Sequence, residues 1–379
     1  SVGESVAIAP LVYKIRTELP QWGVVVTTMT PTGSERVFEM FGDSVCHVYA
    51  PYDYRGAVTR FLHAFKPALV ILVETELWPN LVHYSKQSGA RLLVANARLS
   101  EKSFRGYRKF SALGKPMLQK IDLIAAQGAS DAERFKKLGV SEEQLEITGS
   151  IKFDITLPTD LDTRVASLRQ RVEGNRPIWI AASTREGEDE KILQAHKKLC
   201  EQVPDALLVL VPRHPERFAS AEKLAQAHHM KIVRRSGTDV VSADVDVFLG
   251  DSMGELLLYY SLADIAFVGG SLVDTGCQNV LEPAALAKPV LVGPSQYNFQ
   301  AICERLESRG ALLTVASEDE LANKLVMLFQ DVVTREQMGK AGQQTIADNR
   351  GALNRLFRLV VNFLPVSDSQ AVSGSHRPE

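Results

Sequence analysis

Short, nearly uninterrupted apolar runs alternate along this chain with stretches whose apolar residues recur at helical spacing. Runs at 23–28, 68–73, 91–95 and 123–126 form a first series; those at 177–181, 206–211, 247–249, 265–268 and 289–292 form a second. They are rich in β-branched residues and lack polar alternation, which predicts strands buried on both faces. Helices are expected between them, around 116–120 and at 131–138 and 189–202. Ser130, with Glu133 three residues on, is expected to open the second of these as a capping box. This βαβα order predicts parallel, doubly wound sheets.

The series pauses at 149–157, ahead of a polar stretch at 158–162, and a domain boundary is expected there. The expected organisation is an acceptor-binding Rossmann-like domain over 1–150 and a nucleotide-binding one over 151–345. A helix within 346–365, part of a helical pattern at 343–364, would bridge them, followed by a mobile polar tail at 366–379. Two such domains facing across a cleft place ligands outside the carboxyl ends of the strands. Residues just after strands therefore carry most of the functional information.

Composition narrows the picture. A chain of 379 residues exceeds one ordinary core, and 45% hydrophobic with 23% charged residues is the make-up of a folded protein. A net charge of −2 gives no global attraction to nucleic acid or an anionic membrane, so any such attraction is local. Cys46, Cys200, Cys277 and Cys303 follow no C-x-x-C or zinc spacing and are expected to be reduced thiols in a cytosolic compartment. No apolar run approaches the ~18 residues of a membrane span. The start on Ser1-Val2-Gly3-Glu4, without Met or leader, leads to the expectation that an upstream segment with room for an anchor has been removed.

Three motifs after strands of the second series describe a pocket for a base, a ribose and a phosphate. Pro212-Arg213-His214-Pro215 presents a guanidinium at a strand end, suited to a phosphate. Gly250-Asp251-Ser252-Met253-Gly254-Glu255 leads into a Leu-rich helix, with Asp251 or Ser252 as its cap and Gly254 in its first turn. Gly269-Gly270-Ser271 is followed by Asn279-Val280-Leu281-Glu282. There Asn279 and Glu282 make a variant capping box, or Glu282 accepts from a ribose diol. No G-x-G-x-x-G occurs, which argues against a dinucleotide redox cofactor. Asp244-Val245-Asp246 has the D-x-D form of a metal site but stands at the entry of a strand, the wrong end, so no metal or other cofactor is expected.

In the first series, Glu4 lies in a small-residue turn before an apolar helix, where it either complements the helix dipole or serves as a general base. Glu74 and Glu76 directly follow an apolar strand, beside Trp78 and Pro79. Lys152, at the domain boundary, is placed to carry a cation between the domains or to pair with Asp154 or a glutamate. Arg98, Arg105, Arg108 and Lys109, with Phe104, Tyr107 and Phe110 interleaved, form a local basic, aromatic surface suited to anionic lipid head groups. Ser34 closes another loop after a strand, a second place for an anion.

Taken in order, Ser1–Glu4 and the segments at 27–36, 49–53, 74–80, 95–100, 150–154, 212–218, 250–255 and 269–283 resemble the 3-deoxy-manno-octulosonic acid (Kdo) transferases over nearly the whole chain. Two positions depart from the family pattern: Cys277-Gln278 where Gly-His is usual, and Arg185 where His is frequent. The resemblance implies the two-domain GT-B fold, CMP-Kdo as donor, and a lipid A precursor as acceptor. It also implies an inverting transfer at the cytoplasmic face of the bacterial inner membrane. It makes Glu4 the proton acceptor and gives Glu74 and Lys152 the transition state. Pro212, Arg213, Met253, Gly254, Glu255, Asn279, Val280, Leu281 and Glu282 are left to hold CMP. The alternatives are a sugar-nucleotide epimerase of the same fold and a two-lobed, non-catalytic ligand-binding protein.

Overall fold

The computed structural model describes residues 2–75, 77–109 and 111–365; Ser1, Glu76, Phe110 and the tail expected at 366–379 lie outside the described residues. Two compact units divide the chain. The first runs to Asp154 and resumes at Asn349, and the second spans Ile155–Asp348.

In the first unit β1 (Val25–Thr28) pairs with β2 (Cys46–Tyr49). A second sheet follows the order β3 (Leu69–Val73), β4 (Arg91–Ala97), β5 (Leu123–Ala126), β6 (Leu145–Ile147), and every pair is parallel. No ladder joins β1 to β3 among the described residues, so β3 is an edge. That shows in its burial. β4, flanked on both sides, is buried from Leu92 to Ala97, whereas in β3 only Leu72 is buried, against the expectation of burial on both faces. One core serves both sheets: Val37, Phe41, Leu93 and Ala125 pack with Leu11 and Ile15 of the helix Val2–Glu18 and with Leu356 and Val360 of the helix Ala352–Phe363.

The helix expected at 343–364 is two helices, Val332–Asn349 and Ala352–Phe363, broken where Gly351 takes φ 89°. Only glycine enters that region without a Cβ penalty. Asp154 caps the second helix: its two carboxylate oxygens accept from the N–H groups of Gly351 and Leu353, each at 2.6 Å. The apolar face of the helix expected to bridge the domains, with Leu356, Phe357 and Val360, lies in the core of the first unit.

The second unit is built on one parallel sheet of seven strands: β7 (Ile178–Thr184), β8 (Leu207–Pro212), β9 (Ile232–Arg234), β10 (Val247–Leu249), β11 (Ile265–Val268), β12 (Val290–Val292) and β13 (Leu312–Thr314). Their spatial order is β13-β12-β11-β7-β8-β10-β9. Alternate residues supply two cores. Trp179, Ala181, Leu208, Leu210 and Phe267 face one way, and Ile178, Ile180, Leu207, Val209 and Ala266 face the other. That is the two-residue period of a sheet covered on both faces. The chain lays β8 to β10 on one side of β7, then returns to lay β11 to β13 on the other. The strand order therefore reverses between β7 and β11, where open α/β sheets leave a crevice for ligands.

Candidate functional site

The loops leaving β7 and β11 are tied together by one carboxylate. Glu188 is fully buried. Its Oε2 accepts from the N–H groups of Arg185 at 3.1 Å and Gly270 at 2.7 Å, and its Oε1 from Ser271 at 3.1 Å and Leu272 at 2.9 Å. Burial pushes its carboxyl above the ordinary range, against the downward pull of those N–H groups. Gly269 has no room for a side chain, since a Cβ there would stand 2.8 Å from Glu188 Oε2, Ser183 O and Thr184 Cα. Glu188 was not singled out from the sequence. Its only signal was a place in the acidic run Glu186-Gly187-Glu188-Asp189-Glu190 just past a strand.

Beyond that turn, Asn279 Nδ2 donates to Glu282 Oε1 at 3.0 Å, and the Asn279 side-chain oxygen accepts from Leu281 N–H at 3.1 Å. This replaces the expected capping box: the helix Leu281–Ala285 begins after Val280, with no side-chain cap bond at that residue. Glu282 Oε2 is buried and has no hydrogen-bond partner among the described residues. Burial raises the Glu282 pKa, while Asn279 and the nearby Arg213 act to lower it. The side chains of Val280 and Leu281 are core, 0% and 1% exposed, which leaves their backbone to face any ligand.

Pro212 is the buried last residue of β8, and Arg213 follows it exposed, its N–H bonded to Thr184 O at 3.1 Å. Met253 is exposed, and Gly254 takes φ 76°. Two expectations fail here. Gly254 precedes the helix Leu256–Leu262 instead of lying in its first turn, and neither Asp251 nor Ser252 caps that helix. Asp251 instead accepts from Ser236, through N–H at 2.8 Å and Oγ at 2.5 Å, while Ser252 Oγ donates to Glu255 Oε2 at 2.6 Å. Glu255 pairs with Arg235 at 3.0 Å and Arg164 at 3.5 Å. Burial acts to raise its pKa, but Ser252 and the two arginines outweigh that and lower it. The D-x-D carboxylates are engaged locally: Asp244 pairs with Lys231 and accepts from Ser242 Oγ at 2.6 Å, and Asp246 accepts from Lys231 N–H at 2.7 Å.

In the first unit, Glu74 and Lys152 meet, with Lys152 Nζ 3.5 Å from Glu74 Oε1. Glu74 stands just past β3 in the left-handed region, φ 56°, a conformation costly for a non-glycine residue and concentrated at functional positions. Lys152 sits in a short helical turn, Ile151–Phe153. That turn is anchored by buried Asn96 (φ 52°), whose Oδ1 accepts from Ile151 N–H at 3.3 Å and whose carbonyl accepts from Gln127 at 2.8 Å. Asn96 lies at a register shift in β4. A bulge is set by pairing, so the sequence did not mark Asn96. Glu4 is half-buried in the first turn of the helix Val2–Glu18, so it lies inside the helix and not in a turn before it.

Ser34 is half-buried in the helix Pro31–Phe41, whose cap is Thr30, accepting from Gly33 N–H at 3.1 Å. In the basic segment, Arg105, Arg108 and Lys109 are exposed on the helix Glu101–Lys109 and Arg98 is half-buried before it. Arg105 pairs with Glu101 at 3.1 Å, and Arg108 lies 5.8 Å from the centre of the Phe104 ring. Ser130 does not cap the helix Ala129–Lys137, which starts after Gly128 without a side-chain cap bond. Cys277 and Cys303 are buried with their sulfurs 3.8 Å apart, whereas Cys46 is exposed.

Set beside known proteins, residues 1–155 match the family described as 3-Deoxy-D-manno-octulosonic-acid transferase (kdotransferase), and residues 184–345 that described as glycosyl transferases group 1. The chain is 44% identical over 365 residues to the 3-deoxy-D-manno-octulosonic acid transferase of Haemophilus influenzae, covering 96% of this chain and 86% of that protein. To the protein of the same name from Bordetella pertussis it is 33% identical over 377 residues, again covering 96% and 86%. Among solved structures, the UDP-GlcNAc 2-epimerase of Neisseria meningitidis is similar over 95% of this chain and 96% of its own, with a TM-score of 0.59 at 14% identity, a likeness of fold alone. With the parallel sheets of both units, these likenesses establish the two-domain GT-B fold.

Proposed function

The chain belongs to the Kdo transferase family of glycosyltransferases, and from that premise we propose that it moves Kdo from CMP-Kdo to a lipid A precursor such as lipid IVA, inverting the anomeric centre, with Glu4 as general base. Membership of that family makes it an enzyme of Kdo transfer in lipopolysaccharide biosynthesis. The observation that carries the donor assignment is Glu282, with one oxygen bonded to Asn279 and the other buried and without a partner among the described residues, near Arg213. A buried acceptor without a donor is costly, and a ribose hydroxyl would satisfy it.

In the proposed reaction Glu4 takes the proton of the acceptor sugar's hydroxyl as its oxygen bonds to the anomeric carbon of Kdo. The bond from that carbon to the phosphate oxygen breaks, and CMP leaves with the electron pair. Arg213 meets the phosphate, and Met253, Gly254 and Glu255 flank the nucleotide. The backbone of Val280 and Leu281 lies beside Glu282. Lys152, held near Glu74, supplies positive charge to the oxocarbenium-like transition state's departing anion. No helix among the described residues is long and apolar enough to cross a membrane. The exposed Arg105, Arg108 and Lys109, with Arg98, support attachment to anionic lipid at the cytoplasmic face of the inner membrane. The epimerase alternative retains a likeness of fold only.

The test is incubation with CMP-Kdo and lipid A precursor, following CMP release and the mass of the lipid. Wild-type protein adds Kdo to the lipid. Glu4→Gln keeps the shape and removes the base, and turnover falls by about 10²-fold or more. Near-normal turnover by that variant removes Glu4 from the mechanism, and CMP release without lipid modification overturns the transfer.

A further inference from the structure

Arg185 leaves the carboxyl end of β7 at the point where the strand order reverses. Its placement is built by three separate features. Ser183 takes φ 58°, a left-handed conformation rare for serine, at a register shift between β7 and β8 that re-aims the chain just before Arg185. The Arg185 N–H is pinned by Glu188 Oε2 at 3.1 Å, through the same carboxylate that holds Gly270, Ser271 and Leu272. The guanidinium is oriented by His214: Arg185 Nη1 donates to His214 Nε2 at 2.7 Å, so that ring nitrogen carries no proton. Burial, and then the charge of Arg185, keep His214 below its ordinary pKa, which preserves the neutral acceptor.

What this scaffold holds is a cation without a counter-ion. No carboxylate forms a salt bridge with Arg185 among the described residues, and its Nε is buried without a hydrogen-bond partner. Glu188, the acid that holds its backbone, already accepts from four N–H groups. The neighbouring cations add to the demand for an anion, and the charge of Glu188 offsets them only in part. Arg213 and Arg217 lie close enough that, after burial, they are the next causes of a lowered Arg185 pKa. Arg217 is neutralised by Asp189, and Arg213 is exposed near Glu282. Pinning a guanidinium that has no salt-bridge partner of its own among the described residues beside Arg213 and Arg217 costs free energy unless an oxyanion arrives to share it.

We propose that Arg185, oriented by His214, is a second donor-binding cation beside Arg213 and takes an oxyanion of the sugar nucleotide through its unused guanidinium N–H groups. This rests on the donor assignment above and extends it. A sugar acid joined to a nucleoside monophosphate carries two anionic groups, a phosphate and a carboxylate, and Arg213 alone matches one of them. Either group has the planar or forked oxygens that a guanidinium recognises with paired hydrogen bonds.

The experiment compares Arg185→Gln and Arg185→Lys with wild type, measuring KM for CMP-Kdo, the inhibition constant of CMP alone, and Tm. Arg185→Gln is expected to raise the KM about tenfold or more with a Tm at or above that of wild type, and Arg185→Lys to give a KM between it and wild type, keeping charge but losing the fork. If CMP inhibits the variants as it does wild type, the group held is the sugar carboxylate; if its inhibition constant rises in step with the KM, the group is the phosphate. KM and inhibition constants that match wild type overturn the role of Arg185 while leaving the donor assignment intact. If Arg185→Gln fails to fold, the same readouts on Arg185→Lys decide. Wild-type protein that CMP does not inhibit overturns the donor assignment and this inference with it.

Discussion

Glu282 is bonded to Asn279 through one oxygen, and burial raises its carboxyl pKa. A folded carboxyl harder to ionise than the unfolded one favours the fold at low pH, and that contribution is lost as pH rises through the folded pKa. At neutral pH the ionised group therefore costs stability that Gln would not. Glu282→Gln, which keeps an oxygen for Asn279, is expected to melt at or above the wild-type temperature at pH 7. The gap should narrow on acidification, when wild-type Glu282 takes up its proton. The same variant should bind CMP about tenfold or more weakly, because the acceptor proposed for the ribose is gone. Melting curves at two pH values with CMP titrations check both halves. Asn96 and Glu188 illustrate a different kind of residue. Neither chemistry nor spacing marked them, because their importance comes from the backbone groups that folding brings to them.

Elements were read more reliably than their ends. The strands buried between two neighbours, such as β4, β7, β8 and β11, coincide with apolar runs visible in the sequence, since burial on both faces demands continuous apolar residues. Short strands such as β2, β6, β9 and β13, three or four residues each, were not recognised. Each carries a polar residue (His47, Glu146, Arg234, Thr314), so no continuous apolar run marks it, whereas the equally short β10 and β12 are apolar throughout. Capping assignments at Ser130, Asp251 and Ser252 failed because those side chains had tertiary alternatives, or the helix began elsewhere. The turn after β11 has no room for a single added methyl group. Gly269→Ala puts Cβ 2.8 Å from two backbone atoms and a Glu188 oxygen. It is expected to destabilise the second unit by about 1–3 kcal/mol and to weaken CMP binding with it. Denaturant unfolding and CMP titration measure the two losses together.

At the scale of the molecule, the chain leaves the first unit after Asp154 and re-enters it at Asn349. The re-entry is secured within that unit by Asp154, which holds Gly351 and Leu353, and by Arg355, which donates to Thr148 O at 2.8 Å. Asp154→Ala strips two backbone N–H groups of their acceptor. It is expected to cost the first unit about 1–3 kcal/mol and to open the segment around Gly351 to proteases. Limited proteolysis and hydrogen exchange should show the change at 349–364, with the strands of the second unit protected as before.

The sequence alone determined the alternation of apolar runs and helices, the two-domain plan, the family, and the acids and cations standing just past strands. All of these are local patterns, or ordered sets of local patterns, and they need no knowledge of what packs where. Only the tertiary structure decided that Glu74 meets Lys152, that one buried oxygen of Glu282 has no partner among the described residues, and that Glu188 ties two loops together beneath Arg185. Hydrogen bonds and desolvation depend on distances between residues far apart in the chain, and those distances exist only after the strands have chosen their neighbours.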